Sequence, residues 1–229
     1  MPPQTPSLTK VQTTLPAQPF PSNAARAPIR TPRLVLRALT QEDLGALHAL
    51  RTQRAVMART SLGRPDADLA ATQAKLDPFL PPAGDLRTYN PGICLAATGE
   101  LIGLGGVFGR ASALGWPEVG YMIREEHWGR GYATEFLEAF VGAWWALPRE
   151  EAVAEVDELS VVREGEGGKV REMLCAVVEE DNKASQRVVE KAGFKRFRTW
   201  TVESRRAGEE GVEVTLVGFV NRRPEEKAV

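Results

Sequence analysis

Residues 128–134 read WGRGYAT: two glycines flank one arginine, and the chain then passes at once to residues that favour a helix. The first turn of a helix carries backbone N–H groups without intrahelical partners and the positive end of the helix dipole, so a glycine-lined entry lets an anion approach the main chain. A phosphate or diphosphate is the natural guest. Gly129 and Gly131 lack the third glycine of a dinucleotide fingerprint, and no Lys-Ser/Thr pair follows as in a P-loop. Taken alone, the pair describes equally well a tight turn that needs positive φ. Other chemistry-bearing side chains are sparse. His48 and His127 are isolated, without ligand spacing, so no metal is expected. Cys94 and Cys175 sit in apolar runs outside any CxxC arrangement, which predicts packed thiols and a reducing compartment, the cytoplasm.

The elements that must hold this turn follow from hydrophobic periodicity. The 229 residues suffice for one domain with a full core. A 43% hydrophobic and 26% charged composition, with no apolar run of membrane-spanning length, excludes a membrane protein. With 29 basic against 30 acidic side chains, the chain lacks the field that gathers a polyanion, so nucleic acid is not an expected partner. Residues 1–28 hold seven of the sixteen prolines and no acid, and are expected to form a flexible tail. Organellar import is the weaker alternative, because prolines spoil an amphipathic leader helix.

A short strand is predicted over Arg33–Ala38, followed by a helix opened by a capping box of Thr40 and Asp43. A second helix is predicted from Asp66 toward Leu76, and GICLAATGELIGLGGVFG predicts two strands joined at Gly99 and Glu100. PEVGYMI is a third apolar strand that runs into the glycine turn. The helix beyond it presents Phe136, Leu137, Phe140, Val141 and Trp144 at helical spacing. Residues 158–178 predict two strands around a glycine-rich turn, with PREEAVAEVD before them ambiguous. A helix over 182–192 and a strand pair around AGEEG complete the chain.

EVGYMIREEHWGRGYATEF, followed further along by EEDNKASQRVVEKAGFKR, resembles the GNAT superfamily of acyl-CoA-dependent N-acetyltransferases. The opening TPRLVLRALTQEDLGAL resembles the branch that acetylates ribosomal-protein amino termini, alanine among them, and assorted small amines. The resemblance implies an α/β fold: a mixed, mostly antiparallel central sheet of about seven strands flanked by about four helices, its strands splayed at the cofactor site. It implies a single domain over 29–221, with an insertion at 148–170 and a short tail at 222–229. That insertion is expected to extend the sheet, cover the acceptor entrance, or pair subunits as a homodimer.

The same resemblance assigns roles. Acetyl-CoA is the implied cosubstrate and an amine the implied acceptor. Backbone N–H groups of Trp128, Gly129, Arg130, Gly131, Tyr132, Ala133 and Thr134 would hold the diphosphate, with Arg124 nearby. Met122 and Ile123 would carry the pantetheine arm and the oxyanion donor, and Asn182, Ser185, Arg187 and Lys191 would approach from the late helix. Glu118 would be the base, since a neutral amine must attack and its proton must go somewhere. Ser185 would stand in for the late-helix tyrosine of many relatives, a place that Val189 occupies here. Trp116 and the 54–65 connection are expected to shape acceptor choice. Glu126, where relatives often carry Gln or Arg, leaves room for a non-catalytic acyl-CoA-binding protein. A nucleotide-binding regulator is the third reading.

Overall fold

The structure, a computed structural model, describes residues 5–82, 84–107, 112–164, 168–206 and 208–224, without the side chains of 163 and 164. The N-terminal segment is not the free tail expected from its prolines. Leu8–Pro16 is a nine-residue strand, β1, antiparallel to residues Arg149–Asp157. Val11 and Thr13 alternate inward with exposed Lys10 and Gln12, and Pro16 stands at the strand end, where a missing donor does no harm. Beyond it Phe20 is buried between Tyr89 and Trp144, with ring centroids 5.6 Å and 6.2 Å away.

Strands β2 (Ile29–Arg30) and β3 (Leu34–Arg37) lead to the predicted capping box, in which Thr40 N–H donates to Asp43 Oδ2 at 2.8 Å. Helix α1 (Leu44–Arg51) buries Leu47 and Leu50, and a short helix α2 (Arg54–Met57) follows. Helix α3 (Leu69–Leu76) begins later than predicted. Asp68 caps it, because Asp66 is buried instead in a two-point ion pair with Arg51 at 2.6 and 2.9 Å. Strands β4 (Gly92–Leu95), β5 (Leu101–Val107) and β6 (Val119–Ile123) come next, then helix α4 (Tyr132–Ala146), whose five predicted apolar residues are all buried. The ambiguous stretch is strand β7 (Arg149–Asp157). The predicted hairpin over 158–178 reduces to the two-residue strands β8 (Arg163–Glu164) and β9 (Lys169–Val170), while β10 (Met173–Glu179) belongs elsewhere. Most of the turn between β8 and β9 lies outside the described residues. Helix α5 (Lys183–Lys191) and strands β11 (Lys195–Glu203) and β12 (Glu213–Arg222) close the chain.

Eight of the described strands form two antiparallel sheets, β2-β3-β4-β5-β6 and β10-β12-β11. They meet at one parallel bridge, Glu118 with Cys175, closed by Cys175 N–H donating to Pro117 O at 2.8 Å. Beyond that bridge β6 and β10 part. These eight strands and five α-helices realise the splayed, mostly antiparallel α/β fold, one strand and one helix richer than expected. One side of the five-stranded sheet packs on α4 and α5 through Phe136, Phe140, Val189 and Phe194, the other on α1 and α3 through Leu47, Leu50 and Leu76. No helix among the described residues is long and apolar enough to cross a membrane.

The 148–170 segment does not extend either sheet. β7 pairs with β1 as a separate ribbon, and Val11 and Val156 pack with Trp116, Met173, Cys175 and Trp200 in a core of their own. Trp116, expected near the acceptor, is fully buried there and donates its indole N–H to Ser160 Oγ at 2.8 Å. Gly115, at φ +77, lies so close to Glu155 O that a Cβ would meet it at 1.9 Å. The ribbon thus braces the chain just before β6. Val11→Ala is expected to lower unfolding free energy by about 1–2 kcal/mol, read by urea denaturation. An unchanged midpoint would return β1 to the status of an appendage.

Candidate active site

The glycines of WGRGYAT are both required by backbone conformation: Gly129 has φ +72 and Gly131, the N-cap of α4, φ +81. No side chain caps α4. Its first intrahelical bond runs from Glu135 N–H to Gly131 O at 3.1 Å, which leaves the N–H groups of Tyr132, Ala133 and Thr134 for a guest. Glu135 and Arg33 hold this entry rigidly. Glu135 accepts from Thr31 Oγ1 at 2.6 Å, Arg33 N at 2.9 Å and Arg33 Nε at 2.6 Å, and the bonds keep its carboxyl below the usual range against the effect of burial. Arg33 also donates to Arg130 O at 2.9 Å and lies 4.8 Å over the Tyr132 ring.

The strand before the turn presents an open edge. Arg124 N–H bonds Ile102 O of β5, and β6 pairs with β5 in unbroken register, so even-numbered amides point toward β5. Odd-numbered backbone groups point the other way, as Pro117 O does in meeting Cys175. Above the bridge the amides of Tyr121 and Ile123 therefore face the gap between β6 and β10. Ile123 O is already taken by the Trp128 indole at 2.6 Å. This pleat corrects one expectation: Met122 N–H turns into the sheet and is no oxyanion donor.

The gap opens into a cleft of about 500 Å³, within the range of small-molecule sites. Met122, Ile123, Trp128, Gly129, Gly131, Tyr132, Ala133 and Thr134 line one wall, and Asn182, Ser185, Arg187 and Lys191 the other. Two helix starts thus converge on one space. Asn182 caps α5, its Oδ1 accepting Ser185 N–H at 3.1 Å. Arg187 and Lys191 are exposed cations on the helix face that borders the cleft.

Two expected contributors stand apart. Arg124 pairs with Glu100 at 2.7 Å and Glu126 at 2.6 Å, and the Arg130 side chain is exposed; neither lines the cleft. Glu126 is also held by Gln53 at 2.8 Å, so it fixes the turn to the start of α2. Metal ligands do not assemble: among the described residues no group of three or more His, Cys, Asp or Glu gathers.

Glu118 sits at the vertex where the sheets separate, below the cleft rather than in its lining. Burial alone pushes its carboxyl up to about 7. The same burial, with the Glu118 charge close by, pushes the Cys175 thiol well up, so that thiol stays protonated beside it.

Within the 54–65 connection, expected to shape acceptor choice, Val56, Arg59 and Thr60, in and after α2, line the cleft from across the gap. Arg59 bonds Asp181 at 2.9 Å at the mouth, and Arg206 joins this corner through Glu179 and through Thr60 O at 3.3 Å. Sequence reasoning gave no role to the side chains of His127, a wall residue, and of Tyr121, which lines the cleft from β6. Only the alternation of β6 carried a signal for the tyrosine; the Arg59 contacts join segments about 120 residues apart, which no local pattern records.

Residues 33–195 match the family model described as the acetyltransferase (GNAT) domain. An N-acetyltransferase of Bacillus subtilis (strain 168) named YoaA, itself uncharacterized, is 28% identical over 168 residues, covering 73% of this chain and 82% of that protein. A GNAT-family acetyltransferase structure from Bacillus anthracis superposes with a TM-score of 0.62 at 18% identity, over 87% of this chain and 100% of that one. A spermidine N-acetyltransferase from Vibrio cholerae, solved with CoA and spermine, superposes with a TM-score of 0.61 at 17% identity, over 84% of this chain and 97% of that one.

The Glu118 environment has a signed consequence for stability. Its folded pKa lies above its unfolded value of 4.5, so the folded state is favoured by protonation, and that contribution is lost as pH rises through about 7. Glu118→Gln is expected to gain stability relative to the parent between those pH values, by no more than about 3 kcal/mol above neutrality. Thermal unfolding of both proteins across pH 4–8 measures it.

Proposed function

Since the chain belongs to the GNAT acetyltransferase domain family and is by that membership an acetyltransferase, we propose that it transfers an acetyl group from acetyl-CoA to a primary amine in a ternary complex. The observation that carries this reading is the joining of two features in one cleft: an uncapped helix start behind two left-handed glycines, and an unpaired strand edge leading from it to a part-buried carboxylate of raised pKa. The first suits a diphosphate and the second an extended amide-bearing arm, which can add to β6 like a further strand. A nucleotide alone would leave the open edge of β6 without use.

Each residue then has a task. The amides of Tyr132, Ala133 and Thr134 hold the diphosphate, and Arg187 and Lys191 add positive charge at the mouth. Tyr121 and Ile123 align the arm by main-chain bonds, and an N–H of this edge stabilises the carbonyl oxygen as it gains charge. Glu118, near half ionised at neutral pH, takes the proton that the attacking nitrogen sheds, directly or through one water. Ser185, which lines the cleft, is the late-helix hydroxyl placed to act at the departing sulfur. The TPRLVLRALTQEDLGAL opening favours an acceptor of the kind used by the ribosomal-protein branch, a peptide amino terminus or a small amine. Its packed, reduced thiols suit the cytoplasm.

Calorimetry with acetyl-CoA is expected to show binding that Gly131→Ala weakens about tenfold or more, since a Cβ at φ +81 strains the turn and meets Arg33 Nη2 at 3.3 Å. No heat with the parent protein would remove the enzyme reading. A panel of amino acids, polyamines, aminoglycosides and N-terminal peptides, followed by free-thiol release, identifies the acceptor. With it, kcat/KM should rise with pH through about 7, and Glu118→Gln should lower kcat by about 10²-fold or more while coenzyme A affinity holds. Binding without turnover on any amine would favour the non-catalytic acyl-CoA-binding reading, for which Glu126 in place of the usual Gln or Arg leaves room.

A further inference from the structure

The geometry points to a second group at the departing sulfur: the Tyr121 hydroxyl, on β6, donates a hydrogen bond to the coenzyme A sulfur as the thioester breaks. This inference rests on the acetyl-CoA reading above. The Tyr121 oxygen is sealed from solvent; Ser185 is the side chain within reach of it, and no hydrogen bond of normal length and angle closes it, an expensive state for a hydroxyl unless a ligand takes its proton. Its ring nevertheless lines the cleft. Gly105 lies directly across the ladder, where a Cβ would come within 2.8 Å of Tyr121 Cβ and 2.5 Å of Phe136 Cζ, so the small residue makes room for this placement. The ring packs on Phe136 of α4, centroids 6.2 Å apart.

Position along β6 matches the reacting atoms. An arm running from the helix start toward the vertex passes Ile123 and then Tyr121 before it reaches Glu118, roughly 10 Å further by strand rise. Side chains three residues apart on a strand take opposite faces. Tyr121 therefore faces α4 and α5, while Glu118 shares the face of Met122, which packs on the α1 and α3 side. The amine and its base approach from one face, and the sulfur is met on the other. Ser185 is the polar side chain that acts on Tyr121, and it can donate to the phenol oxygen while the phenol donates onward.

The step balances without a further reactant. The amine nitrogen forms the new C–N bond and loses its proton to the Glu118 carboxylate; the C–S bond breaks with its electron pair on sulfur, and the phenol keeps its own proton. Burial raises the phenol above its ordinary value, which suits a donor that does not ionise.

The test needs no acceptor. The thiol of bound coenzyme A is titrated by its ultraviolet thiolate absorbance, with the desulfo-coenzyme A complex as the reference that cancels protein tyrosines and cysteines. A donated hydrogen bond to an ionised sulfur should make the thiol at least about tenfold more acidic in the parent than in Tyr121→Phe, about one pKa unit, with coenzyme A affinity similar in both. Ser185→Ala should move it in the same direction by less. Equal thiol pKa values in the parent and Tyr121→Phe, with coenzyme A bound to both, would overturn the inference and leave the acetyltransferase reading standing. Failure of the parent to bind coenzyme A would instead overturn both. Phenylalanine preserves the ring packing, and the desulfo-coenzyme A affinity of the variant reports that the cleft has kept its shape.

Discussion

The parting of β6 from β10 above a single bridge is the constraint on which the rest of the molecule depends. A strand edge with unpaired amides is costly inside a protein and hazardous on its surface. Here the edge is internal, directed into a cleft between two halves of what would otherwise be one sheet. The half carrying β6 is fixed by α4 and by α1 and α3, and the half carrying β10 by its pairing with β12 and by the β1–β7 ribbon packed behind it. Each half satisfies its own core, so closing the gap would gain hydrogen bonds only by disturbing both.

That arrangement explains where polar atoms are placed. At the vertex, burial holds Glu118 protonated more readily than a surface carboxylate and keeps the neighbouring Cys175 thiol neutral, so one group titrates there near neutrality rather than two. At the mouth, charge is used for rigidity: Arg33 and Glu135 brace the glycine turn, Arg124 and Gln53 hold Glu126, and Arg59 ties α2 to the approach to α5. These exposed pairs add little to stability individually, but each fixes the direction of a backbone segment that borders the cleft.

Much of the site was legible in local pattern. WGRGYAT encoded its own conformation, because a side chain at either glycine would resist the positive φ that each adopts. The Thr40–Asp43 box, the helical spacing of Phe136 to Trp144 and the Asn182 cap are similarly self-contained, needing only neighbours within a few residues. The errors have the opposite character. Proline content disguised β1, whose partner lies about 140 residues away and supplies the burial that makes Val11 and Thr13 an inward face. Trp116 is the largest residue beside the expected acceptor side, yet the ribbon covers it completely.

What the sequence determined by itself is the helix entry that suits an anion, since glycine conformation and helix polarity are properties of a short stretch of chain. The separation of the two sheets, the outward turn of the Tyr121 and Ile123 amides, the burial of Glu118 and the sealing of the Tyr121 hydroxyl were decided only by tertiary packing. Those features depend on which distant segments cover a residue and which leave it bare, and the free energy of burial attaches to that covering rather than to the residue type.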